Sequence, residues 1–256
     1  ILLDVDLGDK ASMEACARKF LELGLPLHCL LNNAGCNGVP KWAQHTPGVE
    51  TQCAVNLLSQ VYLTELLHDK LVATPGARVV NVASEAHRRI TVWEPVPPPA
   101  VTYDPLRAYA FSNLCRILWT RAKAAQLRAC GAPYPIVCLH PGVAGGTGMV
   151  QHMTTWLLLR QIGLILRYEL PAILKGQSVA QIAACQTYHA IAPIEELQAN
   201  SGKYFNGDGN VSVAPGCAWE ALKPLGTPAE PTALAQSDEH AMEVYEFARL
   251  HFNLAP

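Results

Sequence analysis

Short apolar runs alternating with helical patterns constrain this chain more than any other feature. RVVNVAS (78–84) is a near-continuous β-branched run, and LPLHCLL (25–31) and YPIVCLH (134–140) repeat its character. Runs of that length without polar alternation suit strands buried on both faces, as in a parallel sheet covered by helices. Between them lie helical patterns. Asp9 can cap a helix in which Met13, Cys16, Ala17 and Phe20 recur at i, i+3, i+4 and i+7, closing near Gly24. A second pattern covers roughly Val49 to Leu71 and is broken by Thr74-Pro75-Gly76. A third follows a polar, proline-rich insertion from Trp93 to Pro105 and runs to about Arg128. The opening residues, ILLDVDL, read as a further strand. Strand and helix in that rhythm predict an α/β class, a doubly wound parallel sheet, with one domain over 1–256.

Composition agrees with a soluble globular domain. Half of the 256 residues are apolar, 16% are charged and the net charge is −2, which fits neither disorder nor a basic nucleic-acid-binding stripe. The nine cysteines include no C-x-x-C pair and have an odd total, so free thiols in a reducing compartment are expected rather than a disulfide framework or a zinc site. The histidines are scattered, and no metal site is expected. The most apolar stretch, Trp156 to Leu174, is interrupted by two arginines, a glutamate and a proline, so it reads as a half-buried helix and not a membrane span. A proline-rich surface loop from Leu222 to Thr232 precedes a last helix, Asp238 to Phe252.

Ligands of such sheets bind beyond the carboxyl ends of the strands. The residues there are Asn32 to Gly35, Ser84 to His87 and His140 to Gly146. Taken singly, Asn-Asn-Ala-Gly is an ordinary turn, Ser84 a backbone cap and Tyr109 a core aromatic. Their order is more specific: NNAG, then Val55-Asn56, then V-x-S ending a strand, then Y-x-x-S on a helix, then H-P-G. With DLGDKAS, VNLLSQVYLTELL, DPLRAYAFSNL and SGKYFN, this set resembles the short-chain dehydrogenase/reductase family, within it the branch of retinol-dehydrogenase-like and WW-domain-oxidoreductase-like proteins.

That resemblance implies a role for each matched residue. Asp6 would contact the adenine of a dinucleotide, and Asn32, Ala34 and Gly35 would line the cofactor and steady the central strand. Asn56 would hold a proton-relay water, Ser84 would polarise the substrate carbonyl and Tyr109 would be the acid/base. Pro141, Gly142, Val143 and Thr147 would flank the nicotinamide. Hydride transfer to a carbonyl carbon needs a proton at the oxygen, which a tyrosine of lowered pKa can exchange while a serine hydroxyl stabilises the developing charge.

Two departures stand out. The family helix reads Y-x-x-x-K, but here it reads Tyr109-Ala-Phe-Ser-Asn113, so the cation that would favour the phenolate and hold the cofactor ribose is replaced by an amide. No neighbour is expected to substitute. Arg116 lies at i+7, about 10 Å further along the helix axis, and reads as a solvated helix arginine. The family's T-G-x-x-x-G-x-G phosphate loop would stand about two β-α units before Asp6, so the sequence is expected to be an N-terminally incomplete record, without the first β-α units.

The resulting expectation is an oxidoreductase using NADP or NAD, NADP being favoured by the resemblance, on a small carbonyl/alcohol substrate that is hydrophobic, such as a retinoid, steroid or lipid aldehyde. The alternative is a non-catalytic homologue that binds or scaffolds, motivated by Asn113. No nucleic-acid partner is expected. The resemblance makes a homodimer an expectation, as is membrane association through a preceding N-terminal segment, with a cytoplasmic or organelle-associated location.

Overall fold

The structure is a computed structural model that describes residues 1–46, 48–142, 154–168, 179–207 and 226–254. Residues 1–6 form no strand, contrary to the reading of ILLDVDL. Ile1 and Leu2 are almost fully exposed. An apolar run becomes a strand only when a neighbouring strand takes its backbone N–H and C=O groups, and no described strand pairs with these residues. Asp9 caps helix α1 (Lys10–Glu22) by accepting from Ala11 N at 3.0 Å, and Gly24, at φ +66°, ends it in the left-handed region.

Strand β1 (Cys29–Asn32) follows, then a small hairpin of β2 (Gln44–Thr46) and β3 (Val49–Glu50). The helix expected from Val49 is therefore delayed and subdivided. Val49 and Glu50 are paired in the hairpin, and Glu50 caps the next element through Cys53 N at 3.0 Å. Helix α2 (Thr51–Cys53) passes into a π turn (Ala54–Leu58), then α3 (Ser59–Leu66) and α4 (His68–Ala73). Strand β4 (Arg78–Val82) leads through the proline-rich insertion to α5 (Pro105–Ala129), capped by Asp104, and then β5 (Ile136–His140). Helix α6 (Thr155–Tyr168) realises the first part of the apolar stretch from Trp156; residues 169–174 lie outside the described ones. Helices α7 (Val179–Ile191) and α8 (Ile194–Ala199), strands β6 (Tyr204–Asn206) and β7 (Pro228–Ala229), and helix α9 (Asp238–Phe252) complete the described chain.

The main sheet has the order β1-β4-β5-β6-β7, parallel except for β7. Registers Asn32↔Asn81, Val82↔Leu139 and His140↔Asn206 bring the carboxyl ends of four adjacent strands level. On one face pack α3, α5 and α9 around Leu57, Leu114, Trp119 and Val244, and on the other α7 and α8 cover Val80, Val137 and Leu139 through Ala184, Cys185 and Leu197. Burial on both faces explains why β4 and β5 carry almost no surface polarity in sequence. Helix α9 is fastened to α3 by the stacked rings of Tyr62 and Phe252 at 4.2 Å, to α5 by Arg121 on Asp238 at 2.7 Å, and to the proline-rich insertion by Trp93, which stacks on His240 and donates to Glu243. No helix of the described residues is long and apolar enough to cross a membrane.

Candidate active site

The end of β1 is anchored before it turns. Asn32 donates to Asn81 Oδ1 at 2.9 Å and accepts from Gln60 Nε2 at 3.1 Å through its carbonyl, joining β1 to β4 and α3. The chain then runs through Asn33, Ala34 and Gly35 against the π turn. A Cβ on Gly35 would stand 3.0 Å from Asn56 Oδ1 and 3.5 Å from Arg116 Nη2, so a larger residue here would press on the Asn56 side chain. The π turn carries Asn56, and such insertions recur at functional positions. Asn56 is fully buried. Its side chain accepts from Cys36 N at 2.8 Å and donates to Cys36 O and to Ser112 Oγ, both at 3.0 Å.

Ser84 follows β4 and is the N-cap of a short 3-10 turn (Glu85–Arg89), its Oγ accepting from Ala86 N at 3.2 Å. The cap leaves the hydroxyl proton to be donated elsewhere. Behind it, His87 Nδ1 lies 2.8 Å from Ser84 O, and burial pushes this imidazole down to about 4, so it is neutral at neutral pH. Next along the sheet, Pro141 and Gly142 leave β5 half-buried, Gly142 at φ +110°. Gly207 N donates to His140 O at 2.7 Å, and a Cβ on Gly207 would meet Pro141 O at 2.8 Å, so the next strand end closes directly under this turn. Val143 and Thr147 lie outside the described residues.

Tyr109, Ser112, Asn113 and Arg116 share one face of α5, at i, i+3, i+4 and i+7. Tyr109 is largely buried, and its carbonyl accepts from Ser112 Oγ at 2.9 Å and Asn113 Nδ2 at 2.8 Å. Asn113 is thus turned back along its own helix. The reading of Arg116 as a solvated surface arginine is overturned: it is 4% exposed. Its Nε donates to Asn56 O and its Nη1 to Val82 O, with Asn113 Oδ1 at 3.4 Å from Nη1. Helical side chains lean toward the N-terminus, and the long arginine cancels the axial offset that its position in sequence suggests. The carbonyl of Asn56 is therefore already occupied by a guanidinium N–H.

Hydrogen bonds connect Asn56, Ser112, Tyr109, Asn113 and Arg116 into one cluster. Gly35 lies against it and Ser84 lies two residues beyond Val82. Asp6 stands apart: its carboxylate accepts from Gly8 N at 2.8 Å, its N–H donates to Ser12 Oγ, and it is exposed at the head of α1. Ser112 stood in the Y-x-x-S motif without a role assigned to it, and Arg116 was discounted as a solvated helix arginine; the structure places both in the cluster. Their signal was the i+3 and i+7 spacing from Tyr109. Among the described residues no group of three potential metal ligands converges.

A mostly parallel sheet flanked by helices, with polar residues gathered at adjacent strand ends, defines a Rossmann-type fold. The family model for short chain dehydrogenases matches residues 1–95, which include Asp6, Asn32, Ala34, Gly35, Asn56 and Ser84. The WW domain-containing oxidoreductase of Danio rerio is 32% identical over 215 residues, 80% of this chain and 48% of that protein. Retinol dehydrogenase 13 of Mus musculus is 33% identical over 209 residues, 79% of this chain and 58% of that protein. The chain thus spans about half to three fifths of the length of these curated relatives. The crystal structure of 3-oxoacyl-[acyl-carrier protein] reductase from Brucella melitensis in complex with NAD has the same fold, with a TM-score of 0.56 at 20% identity, covering 82% of this chain and 77% of that one. Over residues 1–95 the chain matches the short-chain dehydrogenase family, and over about four fifths of its length it is similar to retinol dehydrogenases and WW domain-containing oxidoreductases.

Proposed function

We propose that the protein is an NAD(P)-dependent oxidoreductase acting on a carbonyl/alcohol pair, with Tyr109 as acid/base and Ser84 as the second donor at the reacting oxygen. The observation that carries this reading is the polar face of α5, Tyr109 to Arg116, set against Gly35 and the end of β4. The residues present fit the nicotinamide end of a dinucleotide. Gly35 leaves backbone open to close approach, and Arg116 Nη2 is a buried donor with no hydrogen-bond partner. Asn32, Ala34, Gly35, Pro141 and Gly142 would hold it. When bound, the dinucleotide gives or takes up the hydride.

The chain's own groups handle the proton. Tyr109 donates it to the carbonyl oxygen in reduction and recovers it from the alcohol in oxidation. Ser84, with its Oγ fixed by Ala86 N, donates to the same oxygen as negative charge develops. The names of the relatives favour a hydrophobic substrate of the retinoid, steroid or lipid aldehyde class, and the resemblance favours NADP over NAD. Turnover of retinaldehyde and a panel of aldehydes and ketones with NADPH and NADH, beside Tyr109→Phe, is the test. A loss of roughly a hundredfold or more is expected for the variant; equal turnover in the two proteins removes Tyr109 from the chemistry.

One observation favours a second reading, a homologue that binds the dinucleotide without turnover: Asn113 is spent on the carbonyl of Tyr109. Measurable NADPH binding with no reaction across the substrate panel is its signature.

A further inference from the structure

We infer that Arg116 is the positioning residue that gives this site its fixed positive charge, favouring the phenolate of Tyr109 in the absence of a lysine at position 113, an inference that rests on Tyr109 being the acid/base proposed above. The geometry is specific. Arg116 Nη1 stands 3.4 Å from Asn113 Oδ1, so the guanidinium is level with residue 113. That level is one helical turn, about 6 Å of rise, from Tyr109. The cation therefore sits where a side chain at i+4 begins, although it springs from i+7.

The way Arg116 is held argues against a purely structural brace. Its partners are neutral oxygens, the carbonyls Asn56 O and Val82 O and the side-chain amide Asn113 Oδ1, and no carboxylate among the described residues pairs with it. A buried charge without a counter-ion is a poor device for stability, since an apolar side chain of similar size avoids the desolvation cost. The remaining donor, Nη2, is buried and unpartnered, and it points to the space that Gly35 leaves open. Three bonds, from Nε and Nη1, fix the guanidinium, and the Nη2 direction is left for the site.

The groups that face it narrow what the charge acts on. Burial brings Arg116 down to about 10, so it stays charged at neutral pH, while Cys138 on β5, Tyr109 on its own helix and Cys36 after β1 favour its charged form. Burial raises Cys138 to about 12 and Cys36 to about 11, so both remain thiols. On the elements packed against α5, Cys53 is also raised by burial, His87 is neutral, and Glu85 is paired with Arg88. On its outer side Asp238 is paired with Arg121, and Lys123 with Glu65. Tyr109 is the phenol among the groups that interact electrostatically with Arg116.

The test is the ionisation of Tyr109 itself, read without turnover. Ultraviolet phenolate titration of the purified protein and of Tyr109→Phe gives the Tyr109 midpoint by difference. A nearby opposite charge lowers a pKa by about one to three units, so the midpoint is expected that far below the usual value of about 10. Arg116→Gln is expected to return it to about 10 or above, and Arg116→Lys, which keeps the charge, to hold it low. If Arg116→Gln does not fold, the unmodified protein and Arg116→Lys still decide. A midpoint at or above about 10 in the unmodified protein, or one that does not move in a folded Arg116→Gln, overturns the inference. A low midpoint that depends on Arg116, in a protein that turns over no carbonyl substrate, upholds the electrostatic role and defeats the enzymatic reading instead.

Discussion

Restoring lysine at position 113 is the obvious repair of the family pattern, and the structure predicts that it fails alone. In Asn113→Lys the lysine Cδ would take the place of Asn113 Oδ1, 3.4 Å from Arg116 Nη1, and carry the ammonium two bonds further on beside the guanidinium. Two like charges about 4 Å apart repel by about 4 kcal/mol at an effective dielectric of about 20. The bond from Asn113 Nδ2 to Tyr109 O is lost as well, at about 1 kcal/mol. A flexible lysine recovers part of the repulsion by extending away, so a net destabilisation of about 2–4 kcal/mol is expected. Denaturant unfolding of four proteins, the parent, Asn113→Lys, Arg116→Met and the double variant, isolates the coupling. The double variant should be more stable than the sum of the single effects by about 2 kcal/mol or more. Additive effects, or an Asn113→Lys protein as stable as its parent, would mean that the guanidinium does not reach residue 113.

His87 and His189 are both pushed down from 6.5 to about 4 by burial. The unfolded chain therefore takes up two protons that the folded one refuses, and stability present above pH 6.5 is lost as pH falls toward 4, with a slope of up to about 2.7 kcal/mol per pH unit; unfolding followed across that window should lose about half its slope in His189→Gln. Lys123 is 2% exposed and paired with Glu65 at 2.7 Å. Glu65→Gln, which strands the buried ammonium, should cost about 3–5 kcal/mol, whereas Lys123→Met, which leaves only the more exposed carboxylate unpaired, should cost less, and a thermal melt showing equal losses contradicts this. Gly207→Ala would place a methyl 2.8 Å from Pro141 O and 3.0 Å from His140 O and Cys185 Cβ. Backbone cannot yield as a side chain tip can, so a loss of about 1–3 kcal/mol is expected in denaturant unfolding.

Much of the fold was legible because burial on both faces writes itself into composition. RVVNVAS and YPIVCLH became β4 and β5, the last helix kept its expected limits of Asp238 and Phe252, and Thr74-Pro75-Gly76 ended α4. ILLDVDL failed because apolar content reports a wish for burial and not the presence of a pairing partner. The pattern from Val49 concealed a hairpin and a π turn, since hydrogen bonding between Ala43, Thr46 and their partners leaves no periodic trace. In the site, the order of motifs brought Asn56, Tyr109 and Asn113 together in advance. Arg116 was discounted on axial distance, which measures where a backbone is and not where six bonds of side chain can carry a charge.

The fastening of α9 over α5 also sets an order of events during synthesis. Tyr109 and Arg116 leave the ribosome with α5, yet the helix that covers the outer side of α5 ends at Phe252. At about 5–20 residues per second, the roughly 120 residues between those two helix ends take about 6–25 seconds to translate. For that interval the helix that bears the site has an uncovered apolar flank around Trp119. Nascent chains stalled before residue 238 should engage chaperones, and chains stalled beyond residue 252 should not.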